Sequence, residues 1–138
     1  MMRSLIGVQN TRMFASAVGD KIPHALVSVV KYDSEKDEFV NDVVDTCDYF
    51  KGKKIALVGY PGAYTPTCMA THIPEYIGLA ESIKAAGADE IIALSVNDPF
   101  VVKHFAATLG SKGLINYMAD GNGELTKALD LEVDLSAH

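Results

Sequence analysis

The sequence predicts an α/β protein in which a parallel-rich central sheet is flanked by helices and preceded by an N-terminal β-hairpin. Short apolar runs typical of buried strands occupy residues 55–58, 90–95 and 116–119. A helical pattern follows each run, so the order of elements from residue 55 onward is βαβαβα. Strands that alternate with helices are joined by crossover connections, which place them parallel in one sheet covered by helices.

Two Val-rich stretches precede this repeat and predict the hairpin. They cover residues 25–32 and 38–44, and the polar segment 33–37 between them is typical of a turn. Residues 45–50 then predict a short helical turn that leads into the strand at 55–58. Cys47 lies in this turn, and we interpret it as a small packed residue.

The composition indicates one domain with a hydrophobic core. The chain has 138 residues, 49% of them apolar, which is enough for a core of this kind. A net charge of −6 and a pI near 5.1 argue against nucleic-acid binding, because no basic stripe is present. No apolar run approaches the ~20 residues of a membrane-spanning helix, so we expect no membrane association.

The two cysteines, Cys47 and Cys68, are too few for a disulfide scaffold and fit a reducing compartment. No cysteine and histidine stand at zinc-ligand spacing, so the sequence predicts neither a metal site nor a cofactor. His24, at the entry to the first strand, is interpreted as structural or solvent-facing.

Residues 54–76 contain the candidate chemistry. After the strand at 55–58, the pair Pro61-Gly62 predicts a turn, and Thr65-Pro66 predicts the start of a helix. Cys68 then falls in the first helical turn, where unpaired N–H groups and the helix dipole favour a reactive thiolate. The Thr65 hydroxyl can donate a hydrogen bond to this sulfur, and His72, four residues later, shares its helical face. The alternative is that Cys68 is only a small buried apolar residue, and the helix start favours the reactive interpretation.

The later helices follow from their start and stop signals. One helix should continue past Cys68, kink at Pro74 and end near Gly87. Its predicted buried face consists of Ile73, Ile77, Leu79, Ala80 and Ile83. The next helix should begin at Pro99 after an Asn97-Asp98 cap and end at Gly110. Its predicted face consists of Phe100, Val101, His104, Phe105 and Leu109. The final helix is predicted at 124–129.

The stretch from Pro61 to Cys68, followed by Thr71-His72 and Pro74, resembles the active-site loop of the peroxiredoxins. It is similar to the type-II, or peroxiredoxin-5-like, pattern P-G-A-F-T-P-x-C followed by T-H-x-P, with Tyr64 in place of the usual Phe. The segments 95–98 and 118–120 also resemble that branch, and the similarity covers about residues 18–135. The resemblance implies a thioredoxin-like fold.

The resemblance also implies a thiol-dependent peroxidase that reduces hydrogen peroxide and alkyl hydroperoxides through a sulfenic acid on Cys68. In this interpretation Thr65 hydrogen-bonds thiolate and peroxide, and Pro61 shields the sulfur. The surrounding pocket residues are Gly62, Tyr64 and His72. Cys47 matches no resolving cysteine of the type-II branch. An external thiol, either thioredoxin or glutathione with glutaredoxin, would therefore recycle the enzyme.

One departure from the family pattern concerns its active-site arginine, which lies on a strand after the last helix predicted here. Residues 131–138 end before that segment, and no arginine follows Arg12. Arg12, His72 and Lys127 are candidates for the missing charge by elimination only. We expect the sheet to lack the family's closing C-terminal strands, which exposes an edge and favours a homodimer. The alternative function is a truncated, weakly active or inactive interaction protein.

Residues 1–17 differ in composition from the predicted domain at 18–138. Arg3 and Arg12 are their only charges, and no acidic residue occurs before Asp20. This composition resembles an organelle transit peptide, and an ordinary basic arm is an equal alternative. We therefore expect a mitochondrial or cytoplasmic location.

Overall fold

A five-stranded mixed sheet organises the protein. The computed structural model describes residues 18–134, 136 and 137, so the predicted transit-like arm lies outside the described residues. The strands are β1 (Leu26–Asp33), β2 (Glu38–Asp45), β3 (Ile55–Gly59), β4 (Glu90–Ser95) and β5 (Asn116–Ala119). The helices are α1 (Thr46–Phe50), a π-helical turn (Cys68–His72), α2 (Ile73–Gly78), α3 (Ala80–Ala85), α4 (Pro99–Leu109) and α5 (Glu124–Ala128).

The strand order is β2-β1-β5-β4-β3, and the predicted thioredoxin-like α/β fold is confirmed. β3, β4 and β5 run parallel, as expected for strands joined by helical crossovers. The hairpin of β1 and β2 is antiparallel, and it joins the sheet through antiparallel pairing of β1 with β5. This pairing runs from Ser28↔Ala119 to Val30↔Tyr117.

The hairpin register runs from Leu26↔Asp45 to Asp33↔Glu38, within one residue of the predicted strands. The Asp33 carboxylate accepts hydrogen bonds from the backbone N–H groups of Glu35 and Lys36, at 3.0 and 3.3 Å. These bonds close the polar turn, because an Asp side chain can bond the backbone two or three residues on.

Hydrophobic side chains cover both faces of the sheet. Val30, Ile91 and Tyr117 point to one face, where Phe105 of α4 and Ile73 of α2 pack on them. The opposite face carries Val27, Val29, Ile92, Met118 and Leu125. Neighbouring residues of a strand point to opposite faces of the sheet. Both faces of β4 are buried, which explains why its sequence is a continuous apolar run.

The helix predicted after Cys68, with a kink at Pro74, is divided into separate segments, and the sequence did not indicate the π-helical turn or the break at Leu79. A π-helical turn precedes α2, and Leu79 separates α2 from α3. Leu79 is 53% exposed, so its predicted place on the buried face was wrong, whereas Ile73 and Ala80 are fully buried. Pro74 has no N–H to donate, and the chain re-forms its hydrogen bonding around it as a short new helix with Pro74 in its first turn.

The helix α4 begins and ends as predicted. The Asp98 carboxylate accepts hydrogen bonds from Phe100 N and Val101 N, and Gly110 closes the helix in a left-handed conformation. The buried face consists of Val102, Phe105 and Ala106, and Phe100 is 75% exposed. Phe100 lies in the first turn beside the cap, so its predicted place on the buried face was wrong. No helix of the described part of the chain has the length and apolarity to span a membrane.

Candidate active site

The candidate site lies beyond the carboxyl ends of β3 and β4. Tyr60 N donates to Leu94 O at 2.9 Å, which extends the pairing of these strands by one residue before the chain turns at Pro61. The loop after β4 begins at Val96, and its Asn97 contacts Ala63 in the loop after β3. In α/β sheets, the carboxyl ends of the strands are where ligands bind, because the connecting loops converge there.

Two hydrogen bonds hold the loop between Tyr60 and Pro66. Asn97 Oδ1 accepts a hydrogen bond from Ala63 N at 2.9 Å, and Gly62 O accepts one from the Thr65 hydroxyl at 2.8 Å. Gly62 is buried, and a Cβ there would lie 3.4 Å from Thr65 Cγ2 and 3.9 Å from Asn97 Oδ1. A Cβ at Gly62 would therefore be in van der Waals contact with both anchors.

Tyr64 adopts a left-handed conformation with φ of +61°, which is unusual for a residue other than glycine. Its ring packs edge-on against Phe105, with ring centroids 5.4 Å apart, and its hydroxyl lies 3.1 Å from Thr108 Oγ1. Both partners are on α4. These contacts stabilise a backbone conformation that would otherwise be unfavourable, and they tie the loop to the helix behind it.

Cys68 is the third residue of a helical segment that begins at Pro66, as predicted. Its side chain is 3% exposed, and its sulfur is a free thiol. Ile73 N donates to Cys68 O, the five-residue spacing of a π-helix, whereas Met69 N donates to Thr65 O at 3.0 Å with α-helical spacing. The N–H groups of a first helical turn have no intrahelical acceptor, so the thiol lies where an anion is favoured.

The structure gives Thr65 and His72 contacts that differ from the expected ones. The Thr65 hydroxyl donates to Gly62 O, and among the described residues no hydrogen bond from it to the sulfur is present. The His72 ring is half-buried and packs against Tyr76, with centroids 5.7 Å apart. The π-helical turn changes the phase between residues 68 and 72, so the simple four-residue spacing does not apply there. The roles of Thr65 and His72 at the sulfur remain predictions.

Two buried hydroxyl groups near Cys68 were missed by the sequence analysis. Tyr60 is 5% and Ser95 2% exposed, and neither hydroxyl has a hydrogen-bond partner among the described residues. Burial raises the pKa of Tyr60 to about 12; the nearby Ser95 hydroxyl opposes this rise, and the negative charge of a Cys68 thiolate adds to it. Tyr60 also stacks on Phe105, with centroids 5.6 Å apart. The available signal was the position of each residue at the end of a strand.

Of the three residues considered for a compensating positive charge, the structure describes His72 and Lys127, and neither shows a contact with the sulfur. Lys127 Nζ donates to Asn122 O at 3.4 Å, near the start of α5. Arg12 lies outside the described residues. The source of such a charge therefore stays a prediction.

Cys47 is exposed at the start of α1, so its interpretation as a packed residue was wrong. Its Sγ lies 3.8 Å from Ile22 O, in the segment before β1. It is a free thiol, and it does not form a disulfide with Cys68.

The opposite end of the sheet carries a polar cluster around Glu90, the first residue of β4. Glu90 Oε1 accepts hydrogen bonds from the Tyr49 hydroxyl and from Asn116 Nδ2, the latter at 2.7 Å, and Lys53 Nζ lies 3.5 Å from Oε2. Burial alone would raise the pKa of Glu90, but these bonds and the nearby lysines hold it below its ordinary value. This cluster stabilises the fold at the end remote from Cys68.

A surface cavity of about 370 Å³ opens between α4 and the hairpin. His104, Tyr32 and Lys112 are among the residues that line it, and Cys68 is not. His104 is exposed on this rim.

Comparison with known proteins identifies the family. The profile of the Redoxin family matches residues 17–138. Peroxiredoxin-2D of Arabidopsis thaliana is 44% identical over 118 residues, covering 86% of this chain and 70% of that protein. The mitochondrial peroxiredoxin-2F of the same plant is 39% identical over 136 residues, covering 96% of this chain and 68% of that protein.

A solved structure agrees with these relatives. Reduced Prx3 from Vibrio vulnificus, crystallised in complex with hydrogen peroxide, matches with a TM-score of 0.75 at 35% identity. The match covers 88% of this chain and 73% of that one. Fold, loop and relatives agree, and the chain therefore belongs to the redoxin family as a type-II peroxiredoxin, a thiol-dependent peroxidase that uses a peroxide and a thiol reductant.

Proposed function

We propose that Cys68 is the peroxidatic nucleophile. Its thiolate attacks one oxygen of hydrogen peroxide or an alkyl hydroperoxide, so that an S–O bond forms as the O–O bond breaks. The sulfur becomes a sulfenic acid, and the leaving oxygen takes up a proton to give water or an alcohol. The observation that carries this proposal is the place of the buried thiol in the first turn of a helix at the carboxyl end of β3. The relative from Vibrio vulnificus with bound hydrogen peroxide supports the substrate class.

The loop residues act around the reacting atoms. The Cys68 backbone N–H, in the first helical turn, would hold the peroxide oxygens, and Pro61 would keep water from the sulfur. The Thr65 hydroxyl would rotate from Gly62 O toward thiolate and peroxide, because a hydroxyl proton can change its acceptor at little cost. Gly62, Tyr64 and His72 would form the walls of the pocket.

An external thiol would complete the cycle. The sulfenic acid on Cys68 is attacked by a thiol, water leaves, and a second thiol reduces the mixed disulfide. Thioredoxin, or glutathione with glutaredoxin, fits this step. Exposed Cys47 makes its contact with the segment before β1, and it is not assigned a resolving role.

A mitochondrial location and a homodimer complete the proposal. The likeness to a mitochondrial relative supports a mitochondrial site over the cytoplasmic alternative. A homodimer is favoured because β3 is an outer strand of the sheet formed by the described residues, and an outer strand offers unpaired backbone groups. Light scattering on the purified chain would give the mass directly. A monomer at tens of micromolar would contradict this part.

Single-turnover oxidation tests the assignment of Cys68. Reduced protein is mixed with equimolar hydrogen peroxide, and the sulfenic acid is trapped with dimedone at short intervals and located by mass spectrometry. We expect the adduct on Cys68 to form much faster than oxidation of free cysteine. Cys68→Ser should abolish it, and Cys47→Ser should leave it unchanged.

Two outcomes would contradict the assignment. One is first oxidation at Cys47. The other is oxidation of Cys68 no faster than free cysteine, which would favour the weakly active interaction protein instead. A circular dichroism spectrum unchanged between the two serine variants and the parent shows that the fold is intact in each.

A further inference from the structure

Three metal-ligating side chains meet at the surface where β2 ends. His24, Asp45 and Cys47 each offer one donor atom, and these atoms all lie within 4.8 Å of one another. His24 Nδ1 is 2.6 Å from Asp45 Oδ2. His24 lies 21 positions before Asp45 and 23 before Cys47, so the usual short spacing of zinc ligands did not reveal the group. The β1–β2 hairpin brings them together.

Buried Thr46 holds the two segments in place. Its hydroxyl accepts a hydrogen bond from Ala25 N at 2.9 Å and donates one to Pro23 O at 2.6 Å. Thr46 N donates to Ala25 O at 3.0 Å. Thr46 is fully buried, whereas His24 and Cys47 are exposed and Asp45 is half-buried. The backbone beneath the three donors is therefore fixed independently of any ion, and the donors remain accessible to one.

The donor set selects a class of metal. A thiolate, an imidazole and a carboxylate together suit Zn²⁺ and similar divalent transition ions, whereas Mg²⁺ and Ca²⁺ prefer oxygen ligands. We propose that His24, Asp45 and Cys47 form a zinc-binding site, with water as the fourth ligand. This site is separate from the peroxidatic centre.

Small side-chain movements bring the donors to zinc geometry. A tetrahedral ion with bonds of about 2.0 Å to nitrogen and oxygen and 2.3 Å to sulfur separates its ligand atoms by roughly 3.3–3.6 Å. His24 Nδ1 and Asp45 Oδ2, now 2.6 Å apart, must separate to reach this distance. Cys47 Sγ, which lies within 4.8 Å of both atoms, must move closer to them. His24 is 68% exposed at its side chain, so its ring is free to rotate. Asp45 Oδ1 already accepts a hydrogen bond from the Cys47 backbone N–H at 2.8 Å, which keeps the carboxylate beside the cysteine.

Zinc at this site has a consequence for a peroxidase. Cys47 is an exposed thiol and is therefore accessible to peroxide. A thiolate bound to zinc is shielded from alkylation and peroxide. With Cys47 bound to the ion, Cys68 would be the thiol that reacts with peroxide.

Zinc titration of the full chain tests the site. The protein carries Cys68→Ser, so that Cys47 is the remaining thiol, and any polyhistidine tag is removed. Competition with a chromogenic zinc chelator should give one equivalent bound. Titration with Co²⁺ should give a thiolate-to-cobalt charge-transfer band, which reports ligation by sulfur without use of activity. Alkylation of Cys47 should slow by at least about tenfold when zinc is bound.

Matched variants identify the ligands. In the same background, Cys47→Ser should abolish the cobalt charge-transfer band. His24→Gln and Asp45→Asn should each lower the affinity for zinc by at least about tenfold. Asp45→Asn keeps an oxygen for the helix cap, so it separates ligation from folding. Asp48→Asn removes an exposed charge in the same helix and should leave affinity unchanged. The proposal fails if zinc does not bind at one equivalent, or if Cys47→Ser binds it as tightly as the parent.

Discussion

Asn97 Oδ1 accepts a hydrogen bond from the backbone N–H of Ala63 at 2.9 Å, across 34 positions of sequence. This bond ties the loop after β4 to the loop that leads into Cys68. Gly121, two residues after β5, packs close to the same segment, since a Cβ there would lie 3.6 Å from Asn97 O. The loops that follow three parallel strands are thus in contact with one another, and one of them leads into Cys68.

Asn97→Ala should slow peroxide reduction. The part-buried Ala63 N–H loses its acceptor, and the loop 61–65 loses its hydrogen bond to the segment after β4. We expect a loss of about 1–3 kcal/mol in the free energy of unfolding. The second-order rate with hydrogen peroxide should fall by about tenfold, because small misplacements of reacting groups are costly. Stopped-flow kinetics and urea denaturation measure the two effects.

Asn97→Asp is the control for that change. It keeps an oxygen at the same position and should retain most of the rate and stability. An Asn97→Ala protein with unchanged kinetics would show that the loop does not need this anchor.

Tyr60→Phe should separate stability from activity. The Tyr60 hydroxyl is buried without a hydrogen-bond partner among the described residues, so its removal should leave stability unchanged or raise it by about 1 kcal/mol. We expect the peroxide rate to fall several-fold, since an unpaired polar group beside a reactive thiol is typical of a functional site. Thermal unfolding and stopped-flow oxidation are the measurements.

Tyr117→Phe is a matched control. Tyr117 is fully buried and stacks in the same core, but its hydroxyl donates to Ser111 Oγ at 3.0 Å. Its loss should cost about 1 kcal/mol and leave the chemistry unaffected. If Tyr60→Phe instead behaves like Tyr117→Phe, the Tyr60 hydroxyl has a structural role only.

Glu90→Gln should destabilise the protein in a pH-dependent manner. Hydrogen bonds and lysines outweigh burial and hold the pKa of Glu90 below its ordinary value of 4.5. A carboxyl group with a lowered pKa in the folded state contributes stability above its unfolded pKa, and this stability is lost as pH falls through the folded pKa. The variant should be less stable by about 1–2 kcal/mol at pH 7, and the difference should shrink below about pH 4.

Urea denaturation from pH 7 to pH 3 measures this difference. Glu35→Gln, at an exposed turn position, should cost far less at pH 7. A Glu90→Gln penalty that stays constant down to pH 3 would contradict the assigned electrostatic role.

Asp120→Ala should unfold the start of α5. The buried Asp120 carboxylate accepts bonds from Leu125 N, Thr126 N and the Thr126 hydroxyl at 3.2, 2.8 and 2.8 Å. Loss of all three should cost about 2–4 kcal/mol, because buried donors are left unpaired. Asp98→Ala removes an exposed cap from α4 and should cost about 1 kcal/mol. Hydrogen exchange in residues 124–128 would locate the effect, and unchanged protection there would refute it.

Some of the fold was predictable because its causes are local. The strands at 90–95 and 116–119 and the start of α4 at Pro99 agree with the structure to the residue, and Gly110 ends that helix as expected. Apolar run length, a capping Asp and a proline at the first helical position depend on neighbours a few residues away. The loop around Cys68 was recognised in the same way, from adjacent residues.

Other features depended on contacts between distant segments. Phe100 and Leu79 fit an apolar helical pattern yet are exposed, because the helices break or meet the sheet at positions that periodicity does not reveal. The sequence did not single out Tyr60 and Ser95. The structure does, because both hydroxyls are buried without a hydrogen-bond partner among the described residues.

The sequence by itself determined that a thiol stands in the first turn of a helix after a buried strand, with the loop of a type-II peroxiredoxin around it. Only the tertiary structure decided that β5 inserts between β1 and β4, that Asn97 holds Ala63, and that His24 meets Cys47. The physical reason is the separation in sequence between the residues that interact. Capping and turn formation are set by bonds within a few residues, whereas strand order and side-chain clusters are set by which distant surfaces bury each other best.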